Sequence, residues 1–465
     1  MVDVPNNLQN SYYQRLNHIA LPKNEVTSSF ILSAGVQRAA GLGKSIRSLV
    51  SRSLSDLFNN GETGVLFDPS TTGTLYTTTA MTIPATPGDP VGMMLDQSQW
   101  GGVALGTGTV AETLAPIMGP ELVTNGTFDG DIAGWTNNSS GVGEVSYDAG
   151  TILVETITDY NNRAQAYTIV PVTAGSVYKV SGTLTGGTGA VTQNGLFVGV
   201  SPANNSNLAS GEYSGGIGST VTHFVTAPAG ITQVYVTLRA PFGAGTGNFD
   251  NITVKKIPGH HATQATAAKR PTYQTDGTLH WLAFDGVDDA MATPSINFTA
   301  TDKMSVFTGL RKLSDAVGYG LVCELSTATG TSLPGSFGWF APSAGGTGSY
   351  YTIVAQSSGS SFDMFTYAAP ITNVFTLQLD FGGATRLAAL KARVDGAIPV
   401  IYGGSDAAPG VGNFGNYPLY IGARAGTSLY FNGNLYGLTV RGASSVAAEV
   451  AEAEAITAEL AGITL

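Results

Sequence analysis

The sequence predicts a mainly β protein, and three observations support this class. Glycine and proline are abundant, with 61 Gly and 21 Pro among 465 residues, whereas charged residues make up only 11%. Because Gly and Pro interrupt helices and Lys, Glu and Arg favour them, this balance disfavours a mostly helical chain. Apolar and polar residues alternate with period two after residue 61, which is typical of half-buried strands. With 43% hydrophobic residues the chain can bury a core, and its length suggests roughly two to four domains.

One amphipathic helix is predicted near the start, over residues 27–58. Its apolar residues recur mostly at steps of three and four and form one stripe. Glycines near position 42 weaken the helix and allow a break there. Residues 1–60 carry a net charge of +3, which leaves −14 for the rest of the chain. A basic amphipathic helix can lie on a membrane, but we favour burial of the stripe against a partner subunit. The expected anchor residues are Leu32, Val36, Ile46, Leu49, Leu54 and Leu57.

The alternating segments predict strands at 196–200, 233–239 and 375–381. In the second of these, one face is formed by Val234, Val236 and Leu238. Several such strands separated by Gly, Asn, Ser and Pro describe antiparallel sandwiches.

A short helix is predicted at the C terminus, before Gly462. Ser444 or Ser445 can cap its start. Its shared apolar face is formed by Val446, Val450, Ala453 and Leu460.

Several partners and compartments are disfavoured by the composition. The net charge of −11 argues against a nucleic-acid partner. The start of the chain shows no basic region followed by an apolar stretch, and no apolar run approaches the ~18 residues of a membrane span, so neither a signal peptide nor a span is predicted. Cys323 is the single cysteine and lies among apolar residues, which predicts a buried strand position and excludes an intrachain disulfide.

A more specific pattern lies at residues 279–289, LHWLAFDGVDD. It resembles the FDGxDD strand–turn–strand of laminin-G-like, concanavalin A-like lectin domains. Residues 416–422 and 431–438 resemble the closing strands of that family. Residues 64–70 and 90–96 are similar to the opening of such domains in tailed-bacteriophage and prophage proteins.

The lectin-like pattern is interrupted. In the similar phage domains the opening usually runs directly into an NHATQATAARP-like segment, whereas the matching piece here, GHHATQATAAKRP, lies at 259–271. Between them, GPELVTNGTF at 119–128 and NFDNITV at 248–254 resemble the first and last strands of galactose-binding-like jelly rolls of the carbohydrate-binding-module type. Because these two strands are neighbours in that fold, its termini lie close and insertion into a loop is tolerated.

Together these patterns predict two antiparallel jelly-roll sandwiches, one inserted in the other, with an N-terminal helical anchor and a short C-terminal helix. The expected divisions are an anchor or assembly segment at 1–60 and the first part of the lectin-like domain at 61–117. The inserted jelly roll follows at 118–258, and the remainder of the lectin-like domain occupies 259–465.

Catalysis is not expected, because the sequence shows no pair of acids placed to flank a glycosidic bond. The densest glutamate set lies on the C-terminal helix and is expected to face solvent: Glu449, Glu452, Glu454 and Glu459. The adjacent His260 and His261 cannot place both rings on one face of a strand or helix, which disfavours a metal site there.

Sugar binding is implied by the resemblance, and it depends on exposed aromatic side chains. The candidates in the insert are Trp135, Tyr160, Tyr167, Tyr178, Tyr213 and Tyr235. Tyr160 and Tyr213 stand beside acids in loop-like sequence and are expected to be exposed, whereas the similar modules regularly bury a tryptophan at the position of Trp135.

Structural calcium is the one cofactor that the resemblance suggests, with Asp129 and Asp250 as candidate ligands and turn capping as the alternative. The aspartates of the FDGxDD pattern are expected to shape their hairpin.

The resemblance implies a tailed-phage virion protein: a tail fibre, a spike, or a head or collar fibre. Such a protein is made in the host cytoplasm, joins other virion proteins through residues 1–60, is exposed on the particle and meets a host-surface glycan. A trimer is expected by analogy with other fibres. The alternatives are a bacterial carbohydrate-binding surface protein, a decoration protein without glycan binding, and a depolymerase or glycosidase.

Overall fold

A computed structural model describes residues 53–139, 143–157, 163–202, 207–316, 318–327, 330, 333–343, 349–405 and 407–465. Four of the expected anchor residues, Leu32, Val36, Ile46 and Leu49, lie outside the described residues, as does Tyr160.

Strands dominate the described chain, which confirms the mainly β prediction. The first three are β1 (Gly64–Phe67), β2 (Leu75–Tyr76) and β3 (Met93–Met94). The next ten are β4 (Thr136–Asn137), β5 (Gly143–Asp148), β6 (Thr151–Thr156), β7 (Gln165–Pro171), β8 (Val177–Thr188), β9 (Gly195–Gly199), β10 (Asn207–Glu212), β11 (Thr220–Thr226), β12 (Gln233–Arg239) and β13 (Gly245–Ile257). The remaining strands are β14 (Ala262–Thr263), β15 (Thr272–Thr275), β16 (His280–Asp285), β17 (Met291–Asn297), β18 (Lys303–Lys312), β19 (Leu321–Leu325), β20 (Ser336–Ser343), β21 (Tyr350–Gln356), β22 (Ser360–Thr366), β23 (Ile371–Asp380), β24 (Leu390–Val394), β25 (Ile401–Gly404), β26 (Asn416–Ile421) and β27 (Asn432–Arg441).

Helices are few and short. The α-helices are α1 (Val110–Leu114), α2 (Arg386–Ala389) and α3 (Ala447–Ala461). Single 3₁₀ turns occupy Leu54–Phe58, Ala115–Ile117, Val191–Gln193 and Ala267–Lys269. Within the described ranges, no helix has the length and apolar character that crossing a membrane requires.

Strands β1–β3 and β14–β27 build one sandwich, here called the interrupted sandwich. Its seven-stranded sheet has the order β15-β16-β27-β18-β23-β24, with β1 also paired to β27. Its ten-stranded sheet has the order β2-β3-β14-β17-β26-β19-β20-β21-β22-β25. Side chains from both sheets meet in the core, where the rings of Trp339 and Phe375 stack 4.2 Å apart. Cys323 is buried there on β19, as the sequence predicted.

Strands β4–β13 build a second sandwich, here called the inserted sandwich. Its two five-stranded sheets have the orders β10-β9-β12-β7-β4 and β11-β8-β13-β6-β5. Between the sheets lies a separate apolar core that includes Val154, Val180, Leu196 and Phe249. The chain leaves the interrupted sandwich after β3 and returns at β14, and these two strands are hydrogen-bonded neighbours.

Asp96 closes the junction between the two sandwiches. Its fully buried carboxylate accepts hydrogen bonds from the backbone N–H of Leu66 at 2.9 Å, Ser98 at 2.8 Å and His260 at 2.7 Å. These three donors lie on β1, after β3 and just before β14. The carboxylate therefore joins the chain segments on both sides of the insertion.

His261 contacts the backbone of Asp96 and has a structural role. Its Nδ1 accepts the backbone N–H of Asp96 at 3.0 Å. Burial lowers the pKa of His261 to about 3, so the ring is neutral at physiological pH.

A buried apolar cluster extends the junction. Side chains of the segment between β2 and the insert contact residues of β8 and β13, and Trp100 Nε1 also donates to the carbonyl of Pro258 at 3.3 Å. The buried members are Tyr76, Met81, Met93, Leu95, Trp100, Leu114, Ile117, Val177 and Ile257.

Leu54 and Leu57 are not free to anchor the protein to a partner, which corrects the expectation for these two residues. The helical segment that contains them is a five-residue 3₁₀ turn, Leu54–Phe58. Both leucines are 6% exposed and pack in a cluster that includes Phe307 of β18 and Val450 of α3. Their apolar surface is therefore covered by the chain's own C-terminal helix and sheet.

Helix α3 differs from its prediction in its N-cap residue and in the burial of one of its glutamates. The N-cap is Val446, whose N–H is bound by Glu449 Oε2 at 2.8 Å, and neither preceding serine is the cap. Gly462 ends the helix in the left-handed conformation, with φ of 67°. Glu454 is 2% exposed and binds Arg393 Nε at 2.7 Å, so this face of the helix packs on the sheet rather than facing solvent.

A second ion pair, with a buried carboxylate, lies near the middle of the ten-stranded sheet. Glu324 on β19 is fully buried, and its Oε2 accepts hydrogen bonds from Arg424 Nη2 at 2.8 Å and Nε at 3.0 Å. Arg424 follows β26, so the pair fixes the loop after that strand to the neighbouring strand β19.

Candidate functional site

The face of sheet β10-β9-β12-β7-β4 that points away from the core of the inserted sandwich carries a group of aromatic and polar side chains. We call it the aromatic face. Strand alternation produces it, because Val234, Val236 and Leu238 of β12 enter the core and the residues between them point outward. Pairing aligns the outward residues in rows: Thr136, Tyr167, Thr237, Phe197 and Ser210 in one, and Gln165, Arg239, Gly195 and Glu212 in the next.

Tyr167 and Tyr235 form the exposed part of this face. Their rings meet edge to face with centroids 5.4 Å apart, and both side chains are half-buried. The hydroxyl of Tyr235 accepts a hydrogen bond from Gln233 Nε2 at 3.1 Å. Ile169 stands opposite Tyr235 in register and is 47% exposed. The pair presents an apolar ring surface beside groups that form hydrogen bonds, which is the combination that sugar binding requires.

Two arginines and a phenylalanine form the other end of the aromatic face. The Arg239 guanidinium lies 3.9 Å from the centre of the Phe197 ring, and its Nε donates to Gln165 Oε1 at 3.3 Å. Arg163 Nη1 binds Glu212 Oε1 at 3.1 Å. Burial, together with the nearby charge of Arg163, lowers the pKa of Arg239 to about 10.

Tyr213 is buried, which corrects its expected exposure. Its side chain is 0% exposed and packs on Phe249 with ring centroids 5.6 Å apart. It occupies space above Gly182 of β8, where a Cβ atom would lie 3.1 Å from the Tyr213 hydroxyl. Burial raises the pKa of Tyr213 above its usual value. This residue therefore contributes to the core and cannot stack on a sugar.

Trp135 and Tyr178 also belong to the core of the inserted sandwich. Trp135 is 8% exposed, contacts Phe128 with ring centroids 5.5 Å apart, and donates from Nε1 to the carbonyl of Asn125 at 3.2 Å. The Tyr178 hydroxyl accepts the N–H of Thr173 at 2.7 Å. Of the six aromatic candidates, the structure thus brings Tyr167 and Tyr235 together, buries three and leaves Tyr160 outside the described residues.

Asp129 and Asp250 each accept local hydrogen bonds. Asp129 Oδ2 accepts Thr127 Oγ1 at 3.0 Å, and Asp250 Oδ1 accepts the N–H of Asn251 at 2.6 Å. Neither belongs to a group of three or more clustered metal-ligating side chains among the residues that the structure describes.

The acidic group that does occur there is Asp285, Asp288 and Asp289, at the β16–β17 turn. Asp285 Oδ1 accepts the N–H of Val287 at 2.8 Å, and Asp289 Oδ2 accepts the N–H of Asp285 at 3.0 Å. These carboxylates therefore cap the turn.

Asp289 is expected to make the stability of the folded protein depend on pH. Burial, and then the charges of Asp285 and Asp288, raise its pKa to about 7, against about 3.9 in an unfolded chain. The folded state holds this proton more tightly, so the contribution to stability is complete below about pH 4 and is lost as the pH rises through about 7. We expect wild-type protein to lose more stability than Asp289→Asn between about pH 5 and pH 8, by at most about 1.4 kcal/mol per pH unit. Urea unfolding at both pH values measures this, and parallel losses in the two proteins would contradict it.

The contact between Arg239 and Phe197 was not predicted from the sequence. Period-two alternation places Tyr235, Thr237 and Arg239 on the face opposite the predicted core residues of the same strand, so part of the signal was present. The pairing of β12 with β7 and β9, which brings Tyr167 and Phe197 to this face, depends on register between segments far apart in sequence.

No protein-family model and no curated protein matches this sequence. Among solved structures, the chain is similar to a CBM4 carbohydrate-binding module at 17% identity, over 29% of this chain and 99% of that one, with a TM-score of 0.23. It is also similar to the CBM22-1–CBM22-2 tandem domain of Paenibacillus barcinonensis Xyn10C, at 10% identity over 70% of this chain and 98% of that one, with a TM-score of 0.24. A Trypanosoma rangeli sialidase is similar at 11% identity over 68% of this chain and 62% of that one, with a TM-score of 0.30. At TM-scores of 0.23 to 0.30, these likenesses assign no activity to the chain.

Proposed function

We propose that the inserted sandwich binds carbohydrate through its aromatic face. The observation that carries this proposal is the edge-to-face pair Tyr167–Tyr235, half-buried on an outward sheet face, with Tyr167 in one cross-strand row with Thr237 and Phe197. Sugar rings present flat CH surfaces that stack on aromatic rings, while their hydroxyls bind neighbouring polar groups.

The proposal is binding without catalysis. Hydrolysis of a glycosidic bond ordinarily uses two carboxyl groups on either side of it. The described strand residues of the aromatic face contribute one carboxylate, Glu212, which binds Arg163.

Truncating the tyrosine pair is the direct test. Each aromatic contact contributes on the order of 1 kcal/mol, so Tyr235→Ala and Tyr167→Ala should each weaken glycan binding about fivefold. The full chain, displayed in many copies on beads, would be applied to an array of bacterial surface polysaccharides, because single-site binding on the order of millimolar needs multivalency to be detected.

A matched control is Tyr147→Ala. Tyr147 is 42% exposed and lies on β5, in the other sheet of the same sandwich. This variant should bind like wild type. If it weakens binding as much as Tyr235→Ala does, or if wild type binds no polysaccharide, the aromatic face is not a sugar site.

We further propose, from the resemblance to phage lectin-like domains, that this binding serves attachment of a virion to its host, with residues 1–52 joining other virion proteins and a trimer as the unit. Since Leu54 and Leu57 are covered by the chain itself, attachment would rest on the apolar stripe before them. Antibody labelling of intact particles by electron microscopy tests the location. Particles that carry the protein with both Tyr167→Ala and Tyr235→Ala can then be compared with wild-type particles for binding to host cells. Equal binding would favour a decoration protein.

A further inference from the structure

Arg239 combines deep burial with a charge that no described carboxylate neutralises. Its exposed fraction is 6%. Its described contacts are the hydrogen bond from Nε to Gln165 and the ring of Phe197. Among the described residues, no carboxylate oxygen lies within 4.0 Å of its nitrogens. Burying a cation without a counter-charge is costly, so such a group favours an anion at its free edge.

Among the described residues, two other arginines have side chains no more than about 10% exposed, and both are paired with carboxylates. Arg441 binds Glu62 at 2.6 Å and Glu449 at 2.9 Å, and Arg163, next to Arg239, binds Glu212. The aromatic face thus contains two adjacent arginines and one described carboxylate, and that carboxylate is bound to Arg163.

The part of Arg239 that remains for a ligand is its pair of Nη groups. The Nε atom donates to Gln165. Neither Nη atom is a buried atom without a hydrogen-bond partner. Solvent therefore reaches this edge of the guanidinium. Two parallel N–H donors on an arginine match the two oxygens of a carboxylate.

We propose that the aromatic face binds an acidic oligosaccharide, in which a uronic-acid carboxylate occupies the Nη edge of Arg239 and another sugar ring of the same chain stacks on Tyr167 and Tyr235. This inference rests on the proposed function and specifies its ligand class. Tyr235 and Arg239 lie four residues apart on one strand, or about 14 Å, which an oligosaccharide spans and a single sugar does not.

The test uses the full chain on an array of acidic and neutral polysaccharides, with each uronic-acid polymer also present after its carboxyl groups have been reduced to alcohols. We expect wild type to bind at least one uronic-acid polymer and to bind the reduced form at least tenfold more weakly. Arg239→Gln should show the same loss on the acidic form and no further loss on the reduced form. Arg239→Lys, which keeps the charge without the paired donors, should fall between them.

Arg311→Gln is the charge-matched control, because Arg311 is exposed on the interrupted sandwich. It should bind like wild type, and unfolding midpoints of all variants should show that the inserted sandwich remains folded. Equal binding of acidic and reduced polymers, each lost in Tyr235→Ala, would overturn the inference and leave the proposed function standing. Unchanged acidic binding by Arg239→Gln, or a preference for sulfated over carboxylated polymers, would also overturn it. Absence of any binding would contradict both proposals.

Discussion

Replacing Asp96 by alanine is expected to lower the free energy of unfolding of the interrupted sandwich by more than about 3 kcal/mol. The fully buried carboxylate accepts three backbone N–H groups, from Leu66, Ser98 and His260. Each donor left unpaired in the interior costs about 1–3 kcal/mol. Urea unfolding followed by tryptophan fluorescence measures the loss, since Trp100 and Trp339 lie in the junction cluster and the core of this sandwich.

Two further variants make this expectation specific. Asp96→Asn keeps one acceptor oxygen and places an N–H₂ group at the other position, so its loss should be intermediate. Asp89→Ala removes a carboxylate that also accepts a backbone N–H, that of Thr86 at 2.8 Å, but on the surface. It should change stability far less. Equal effects of Asp96→Ala and Asp89→Ala would show that the junction does not depend on the buried acceptor.

Replacing Arg424 by alanine should destabilise the same sandwich by about 3–5 kcal/mol, because it leaves the fully buried Glu324 without its cation. The cost comes from the unpaired carboxylate rather than from the lost contact itself. The measurement is again equilibrium unfolding in urea.

A double-variant cycle separates these two causes. Adding Glu324→Gln to Arg424→Ala removes the charge that was left unpaired, so the double variant should be more stable than Arg424→Ala alone. If the losses of unfolding free energy caused by Arg424→Ala and by Glu324→Gln simply add in the double variant, the pair contributes through packing and not through charge.

Much of the fold could be predicted because strand periodicity is local. The alternation at 233–239 corresponds to β12, and the segment 375–381 falls largely within β23. The start of α3 was less predictable, because Glu449 caps it from within the helix while the serines before it do not. The fate of Leu54 and Leu57 depended on contacts with Phe307 and Val450, which are distant in sequence.

The candidate site was only partly predictable, for a related reason. Whether a tyrosine is exposed depends on what lies opposite it, and the buried Tyr213 packs on Phe249, 36 positions later, with its hydroxyl beside Gly182, 31 positions earlier. Tyr235 could be placed outward from its own strand. Its contact with Tyr167 and the position of Arg239 over Phe197 require the registers of β7 and β9, which no local pattern specifies.

The adjacency of β3 and β14 determines how a force applied to the inserted sandwich passes into the interrupted sandwich. The two connections to the inserted sandwich leave from the same end of one antiparallel pair, in which Met93 faces Thr263 and Met94 faces Ala262. A pull on the inserted sandwich therefore loads both strands in the same direction, and the two covalent connections share the force with the hydrogen bonds of Asp96 and the apolar junction cluster. The hydrogen bonds between β3 and β14 carry little shear, and the load passes instead to β2 and β17 on either side. An inserted domain is thus held by two chain connections, whereas a domain added at a chain end has only one.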